Sequence, residues 1–100
     1  VIAPMATIQI KTPFPDQATP LVKDAIALET KLVRDSLAAT NERVAALTQE
    51  LHVTEHDVLA GTVVRTETNE LPLLDLEGEL AIRRSLEDAL RSLTSLELCG

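Results

Sequence analysis

The feature that most constrains this chain is the segment from Thr19 to Leu51, which contains no glycine and no proline after Pro20. Apolar residues recur in it at steps of three and four, the period of one face of an α-helix. Thr19 is a good N-cap and Pro20 suits the first helical position. A helix of about 32 residues would be roughly 48 Å long. Because a chain of 100 residues cannot wrap such a helix, part of its surface must meet a second helix, a second copy or a partner protein.

Two apolar stripes follow this helix. The first, with the alternating steps of a coiled-coil seam, consists of Ile26, Thr30, Val33, Leu37, Thr40, Val44, Leu47 and Leu51. The second, on a neighbouring face, consists of Leu21, Ala25, Leu28, Leu32, Ala39 and Ala46. Both stripes could face one helix of an intramolecular hairpin, or the helix could be shared between a hairpin and a dimer interface. We favour a homodimer whose interface contains Ile26, Val33, Leu37 and Val44.

The charge and cysteine content of the chain limit the classes of partner that are expected. Sixteen acidic residues against nine basic ones give a net charge of −7, whereas nucleic acid or an anionic membrane would require a basic face. Neither is expected as a partner. The single cysteine, Cys99, excludes a disulfide within one chain, so a cytoplasmic location is the default expectation. No apolar run approaches the ~18 residues of a membrane span, and no signal-peptide pattern is visible.

We expect one helical domain over residues 5–100. Val1 to Pro4 precede Met5 and are interpreted as an expression remnant or a disordered start. The stretch from Met5 to Thr12 alternates apolar and polar residues, which predicts a short half-buried strand. Its partner is expected to be either the β-branched segment 63–68 or the same strand of a second subunit.

The remaining elements are predicted from capping signals. Thr54 is the expected N-cap of a short helix from Glu55 to Leu59 or Ala60, which Gly61 ends. The segment 62–74 is compatible with loop, strand or a helical tail. Asp75 is the expected cap of a second long helix from about Leu76 to Leu96, on which oppositely charged residues four apart suggest ion pairs along a solvated face. The predicted fold is therefore mainly α, an antiparallel long-helix hairpin with a short N-terminal β-strand.

One string matches a catalytic motif. His52-Val53-Thr54-Glu55-His56 has the H-x-x-E-H order of inverted zinc proteases. Zinc requires a third protein ligand and a continuous helix beneath the histidine pair, whereas Thr54 signals a break between two helices. We interpret both histidines as surface residues at a helix junction. No catalytic residue, metal site or cofactor is predicted elsewhere, since the glycines are isolated and no helical serine has a histidine near it in sequence.

An acidic run precedes the second helix, at Glu67, Glu70, Asp75, Glu77 and Glu79. It either complements the helix dipole or forms a surface that docks a basic partner. For the second interpretation, the partner-binding residues are predicted to be Leu73 and Leu74 as exposed anchors, with Glu70 and Asp75 at the polar rim. The same two leucines could instead form a hydrophobic staple ahead of the Asp75 cap.

The order of elements, with the strings from Leu51 to Leu59 and from Leu76 to Leu80, resembles a family of small bacterial helical-hairpin proteins. Many of these are uncharacterised and some are antitoxin-like partners of small toxins. The similarity runs from about Leu28 to Leu96, with His52 where the family usually has glycine and Leu76 where an aromatic is usual. The resemblance implies a non-enzymatic antitoxin or partner-binding subunit. We therefore expect an interaction module that binds a small basic toxin or, alternatively, a self-associating structural module.

Overall fold

The structure, a computed structural model, describes residues 6–99. It contains strand β1 (Ala6–Gln9), helices α1 (Pro15–Leu51), α2 (Glu55–Ala60) and α3 (Glu70–Thr94), and strand β2 (Leu96–Cys99). The predicted fold class, mainly α with a long-helix hairpin and a short N-terminal strand, is confirmed. The expected start of the domain after Val1–Pro4 lies outside the described residues.

The two long helices pack along each other in antiparallel directions. β1 precedes α1 and β2 follows α3, and the strands pair in parallel register from Ala6 opposite Leu96 to Gln9 opposite Cys99. The start of α1 and the end of α3 therefore lie at the same end of the molecule. The result is an elongated body of 62 × 24 × 19 Å.

The partner of β1 differs from both predicted candidates, the segment 63–68 and a second subunit. β1 pairs with β2, which begins at Leu96, the predicted last residue of the second helix. α3 stops at Thr94, where the Ser95 amide donates to the Arg91 carbonyl at 3.1 Å. The sequence from Leu96 to Cys99 alternates apolar and polar residues, which is the signal of a strand.

α1 begins one turn before the predicted cap at Thr19. The N-cap is Phe14, whose carbonyl accepts hydrogen bonds from the amides of Gln17 and Ala18 at 3.1 and 3.0 Å. Pro15 occupies the first helical position, where its fixed φ favours initiation and its missing N–H costs nothing. Pro20 consequently lies inside the helix. Thr19 as N-cap is wrong because Pro15 offers an earlier start.

The junction between α1 and α2 matches the prediction. α1 ends at Leu51, and the Thr54 hydroxyl accepts a hydrogen bond from the Asp57 amide at 3.1 Å as the N-cap of α2. Gly61 ends α2 in the left-handed conformation with φ +72°. His52 adopts the same conformation, with φ +55°, at the end of α1.

α3 begins earlier than the predicted cap at Asp75. Residues 62–69 form a loop held by Asn69, whose Nδ2 donates to the Val64 carbonyl at 2.9 Å and whose Oδ1 accepts from the Thr66 amide at 2.7 Å. Asn69 is the N-cap of α3, and Pro72 lies in the first turn, where no intrahelical partner for its nitrogen is required. Asp75 is thus an interior helical residue, and the predicted cap and staple at this position are wrong.

The hydrophobic core lies at the end of the hairpin where α2 packs beside α1 and α3. Its buried members are Val44, Val58, Leu73, Leu76 and Leu80. Four partly buried residues pack against them, namely Leu47, Leu51, Val53 and Val63. One face of each long helix thus contributes to this core, and the other faces of both helices lie outside it.

Ion pairs on α3 connect elements in place of the expected pairs four residues apart. Arg83 contacts Glu55 of α2, Arg65 of the loop contacts Glu77, and Arg43 of α1 contacts Glu79. These contacts join α3 to α2, to the loop and to α1.

Candidate interaction surface

The first apolar stripe of α1 is partly buried within the chain. Val33 and Val44 are buried, while Ile26 and Leu37 are half-buried. Val33 and Val44 are therefore wrong as residues of a dimer interface, because the chain itself already covers them, whereas Ile26 and Leu37 stay predictions. Coiled-coil spacing identified the face correctly as a helix-packing face, but the helix that packs on it belongs to the same chain.

The second stripe of α1 remains in contact with solvent. Leu21 is 69% exposed, Leu28 59% and Leu32 51%. Ala25 and Ala46 are exposed too, and Ala39 is half-buried. Large apolar side chains thus occupy the first half of this stripe and small ones the second half. We call this set, Leu21, Ala25, Leu28, Leu32, Ala39 and Ala46, the lateral stripe.

Part of α1 extends beyond α3. The Arg43 Nε donates to Glu79 Oε1 at 2.9 Å, which places these two residues at the same level of the antiparallel hairpin. Counting fifteen residues along each helix from this contact brings Thr94, the last residue of α3, level with Leu28. Residues 15–27 of α1, about 20 Å of helix at 1.5 Å per residue, therefore project past the end of α3. We call this segment the α1 overhang.

A groove lies between α1 and α3, on the side of the lateral stripe. It measures about 490 Å³ and is lined by Arg43, Ala46, Leu47, Leu74, Asp75, Gly78, Glu79 and Ile82. Leu74 is 58% exposed and Ile82 48%. Ala46 and Gly78 contribute little side-chain volume, and a Cβ at Gly78 would meet no heavy atom within 4 Å. We call this the α1–α3 groove; it combines two accessible apolar side chains with space beside them.

One carboxylate oxygen in the groove lacks a hydrogen-bond donor. Glu79 Oε1 accepts from Arg43, whose Nη2 also donates to the buried Thr40 hydroxyl at 3.2 Å. Glu79 Oε2 is buried and accepts no hydrogen bond from any residue that the structure describes. A buried polar atom without a partner costs about 1–3 kcal/mol. A donor from another molecule would remove that cost if the Glu79 side chain rotated to expose this oxygen.

The predicted partner-binding residues separate into two groups. Leu74 and Asp75 line the groove and Glu70 is exposed in the first turn of α3. Leu73 is only 3% exposed and belongs to the core, so its predicted exposure as an anchor is wrong. Sequence reasoning missed Gly78 and Ile82 as groove residues. The signal for them is a second stripe on α3, in which Leu71, Leu74, Gly78 and Ile82 recur at steps of three and four.

The two histidines of the H-x-x-E-H string lie on different elements. His52 follows the last residue of α1 and His56 lies in α2, and both are exposed. The helix break at Thr54 is therefore as predicted. Within residues 6–99 no group of three or more His, Cys, Asp or Glu side chains is placed to hold a metal ion. Nor does that part of the chain contain a helix with the length and apolar character needed to cross a membrane.

No protein-family model matches this chain, and it matches neither a curated protein nor a solved structure. The α1–α3 groove and the lateral stripe are therefore interpreted from their own geometry.

Proposed function

We propose that this chain is a non-enzymatic protein-interaction module whose α1–α3 groove receives an amphipathic helix from a basic partner protein. The observation that carries the proposal is the lining of the α1–α3 groove, where Glu79, whose buried Oε2 accepts no hydrogen bond from a described residue, accompanies the exposed side chains of Leu74 and Ile82. Apolar anchors beside a polar contact are the usual components of helix-in-groove recognition. On the incoming helix, apolar residues would contact Leu74 and Ile82, and a neighbouring lysine or arginine would donate a hydrogen bond to Glu79.

Charge favours a basic partner. The chain carries a net charge of −7, and Asp75 lies at the groove while Glu70 is exposed in the first turn of the same helix. An acidic surface steers a basic protein toward the groove and disfavours acidic competitors. A small basic toxin that this chain covers in the cytoplasm fits that chemistry.

Two local features support the antitoxin-like resemblance behind this proposal. His52, which stands where the family usually has glycine, adopts the left-handed conformation that glycine favours. Leu76, which stands where an aromatic is usual, is fully buried in the core.

The alternative function is a self-associating structural module without a regulated partner. The exposed leucines of the lateral stripe favour this alternative, because an exposed, uncharged apolar surface is typical of a site that packs against apolar side chains of another molecule. The two functions differ in whether the groove serves another protein or only copies of this chain.

The test compares the retention of any small basic protein encoded beside this chain by the wild type and by two folded variants. Ile82→Glu places a charge in the groove, while Leu59→Glu places one at an equally accessible leucine of α2 that does not line it. We expect Ile82→Glu to weaken binding about 100-fold, the loss of a hot-spot residue, and Leu59→Glu to leave it unchanged. Leu73→Asp is unsuitable because it would disrupt the core.

Equal binding by the wild type and both variants would refute the role of the groove. Failure of the wild type to bind any small basic protein from the same gene neighbourhood would refute the basic partner. Binding that weakens as salt is raised would support the acidic contribution, since screening acts on exposed charges.

A further inference from the structure

We infer that Gly78 is the specificity-determining residue of the α1–α3 groove, an open position that receives one large apolar side chain of a partner helix, with a lysine or arginine one turn away on that helix. This inference rests on the proposed function, because it takes the groove to be the site of helix binding. It deepens that function by stating which sequence pattern the partner helix must carry.

Nothing within the described chain requires glycine at position 78. Gly78 lies in the interior of α3, where glycine is less favourable than alanine because it loses more backbone freedom on folding. A left-handed conformation does not explain it, since Gly61 is the only described glycine with a positive φ. Close packing does not explain it either, because a Cβ at Gly78 would meet no heavy atom within 4 Å apart from the backbone of its own helix. The space that the missing side chain leaves is therefore open to another molecule.

The lining of the groove fits one bulky side chain at this point. Leu74 precedes Gly78 by one turn of α3 and Ile82 follows it by one turn, and both leucine and isoleucine side chains are exposed and line the groove. On the α1 side, Ala46 contributes only a methyl group. A leucine, methionine or phenylalanine of an incoming helix would occupy the space beside Gly78, while its neighbours contact Leu74 and Ile82.

The charges that line the groove favour a basic residue beside that apolar one. Arg43 and Glu79 pair with each other, whereas Asp75 is exposed and forms no ion pair with any residue that the structure describes. Asp75 precedes Gly78 by three residues, a spacing that makes them neighbours on one helix face. A helix lying along α3 would therefore bring the residue three or four positions from its bulky side chain toward Asp75. Lysine or arginine is favoured there by charge complementarity.

The test is the selection of binding helices from a displayed library of helical sequences with randomised surface positions. The library is selected separately against the wild type and against Gly78→Leu, which fills the open position with a good helix former. We expect helices selected by the wild type to carry a large apolar residue three or four positions from lysine or arginine. They should bind Gly78→Leu at least about 30-fold more weakly, the loss of a hot-spot contact. Helices selected by Gly78→Leu should instead carry alanine, glycine or serine at the position of the large residue.

Two further variants complete the comparison. Ala81→Leu adds the same side chain to an exposed position of α3 outside the groove lining, so it should bind the helices selected by the wild type with unchanged affinity. Gly78→Ala should raise the melting midpoint by about 4–8 °C and bind those helices about tenfold more weakly, because a methyl group is added to a packed contact. Higher stability with weaker binding is a combination that a purely structural glycine would not give. A lower midpoint for Gly78→Ala would show that the chain itself requires glycine and would overturn the inference.

The binding data distinguish failure of this inference from failure of the proposed function. Helices that bind the wild type and Gly78→Leu equally, but lose affinity for Ile82→Glu, would overturn the role of Gly78 and leave the groove as the helix-binding site. Equal binding by the wild type and both variants, or no enrichment of any helix by the wild type, would exclude the groove, and both ideas would fail.

Discussion

The Arg43 guanidinium and the Glu79 carboxylate, thirty-six residues apart in sequence, are joined by a 2.9 Å hydrogen bond from Nε to Oε1. This contact connects α1 to α3 at the groove and sets the level at which the α1 overhang begins. Arg43 is half exposed, but the side chain of Glu79 is only 19% exposed. The pair is therefore partly shielded from water, with a stabilising contribution above that of a fully exposed pair.

The first prediction follows from that asymmetry of burial. Arg43→Ala removes the donor and leaves both oxygens of a partly buried carboxylate unpaired, so we expect a loss of about 1–2 kcal/mol in the free energy of unfolding. Exposed pairs give 0.2–1 kcal/mol in double-mutant cycles, so a coupling energy of about 1 kcal/mol with Glu79→Ala is expected. Urea unfolding of the two single variants and the double variant measures it. Strictly additive single effects would show that the contact contributes nothing.

The second prediction concerns the core. Leu76 is fully buried among the α1, α2 and α3 side chains, so Leu76→Ala removes buried methyl groups and leaves a cavity. We expect a loss of about 2–5 kcal/mol, enough to unfold much of a small domain at 37 °C. The matched control is Leu59→Ala, at a leucine that is 70% exposed, for which a change within ~0.5 kcal/mol is expected. Similar midpoints in chemical denaturation for the two variants would contradict the assigned core.

The helices could be predicted from sequence more completely than their ends and neighbours. Periodicity identified both long helices because the apolar stripe of an α-helix is a local signal. The helix starts were missed because each segment holds two competing caps, Phe14-Pro15 before Thr19 and Asn69 before Asp75, and in both cases the helix starts at the earlier one. The strand partner was missed because pairing is non-local.

The candidate site illustrates the same limit. Coiled-coil spacing on α1 predicts a packing face but not which helix covers it, so it predicts a dimer interface at Val33 and Val44, which are buried within one chain. Leu73 and Leu74 are adjacent in sequence, yet α3 turns one into the core and leaves the other at the groove. With a cap at Asp75 the predicted helix starts at Leu76, six residues after the observed start at Glu70, so Leu73 and Leu74 fall outside it and helical periodicity could not separate them.

The third prediction concerns the end of α1. His52 is the only non-glycine residue among the described ones with positive φ, and the left-handed region costs an L-residue about 1–2 kcal/mol. Glycine avoids that cost but loses about 0.5–1 kcal/mol of chain entropy. We expect His52→Gly to stabilise the protein by about 0.5–1 kcal/mol, measured by thermal or urea unfolding.

Two controls isolate the conformational origin of that gain. His52→Ala keeps the strained backbone and removes the imidazole, so it should give no stabilisation. Gly61→Ala places a side chain in the left-handed conformation at the end of α2, at φ +72° with open space around it, and should destabilise by about 1 kcal/mol. Equal stability of the glycine and alanine variants at residue 52 would contradict the assigned backbone conformation.

The last prediction uses salt to separate self-association from binding of a basic protein. Each copy carries a net charge of −7, so two copies repel each other, whereas a basic partner is attracted. Screening shortens the range of both effects, since the Debye length falls from about 10 Å at 0.1 M to about 3 Å at 1 M. Raising salt should therefore tighten the dimer and weaken the complex with a basic protein. Sedimentation equilibrium at the two salt concentrations should show the mass rising toward twice 10.8 kDa, while the dissociation constant of the basic complex increases. A dimer that weakens with salt would have to be held by charged groups, and the apolar lateral stripe could not be its interface.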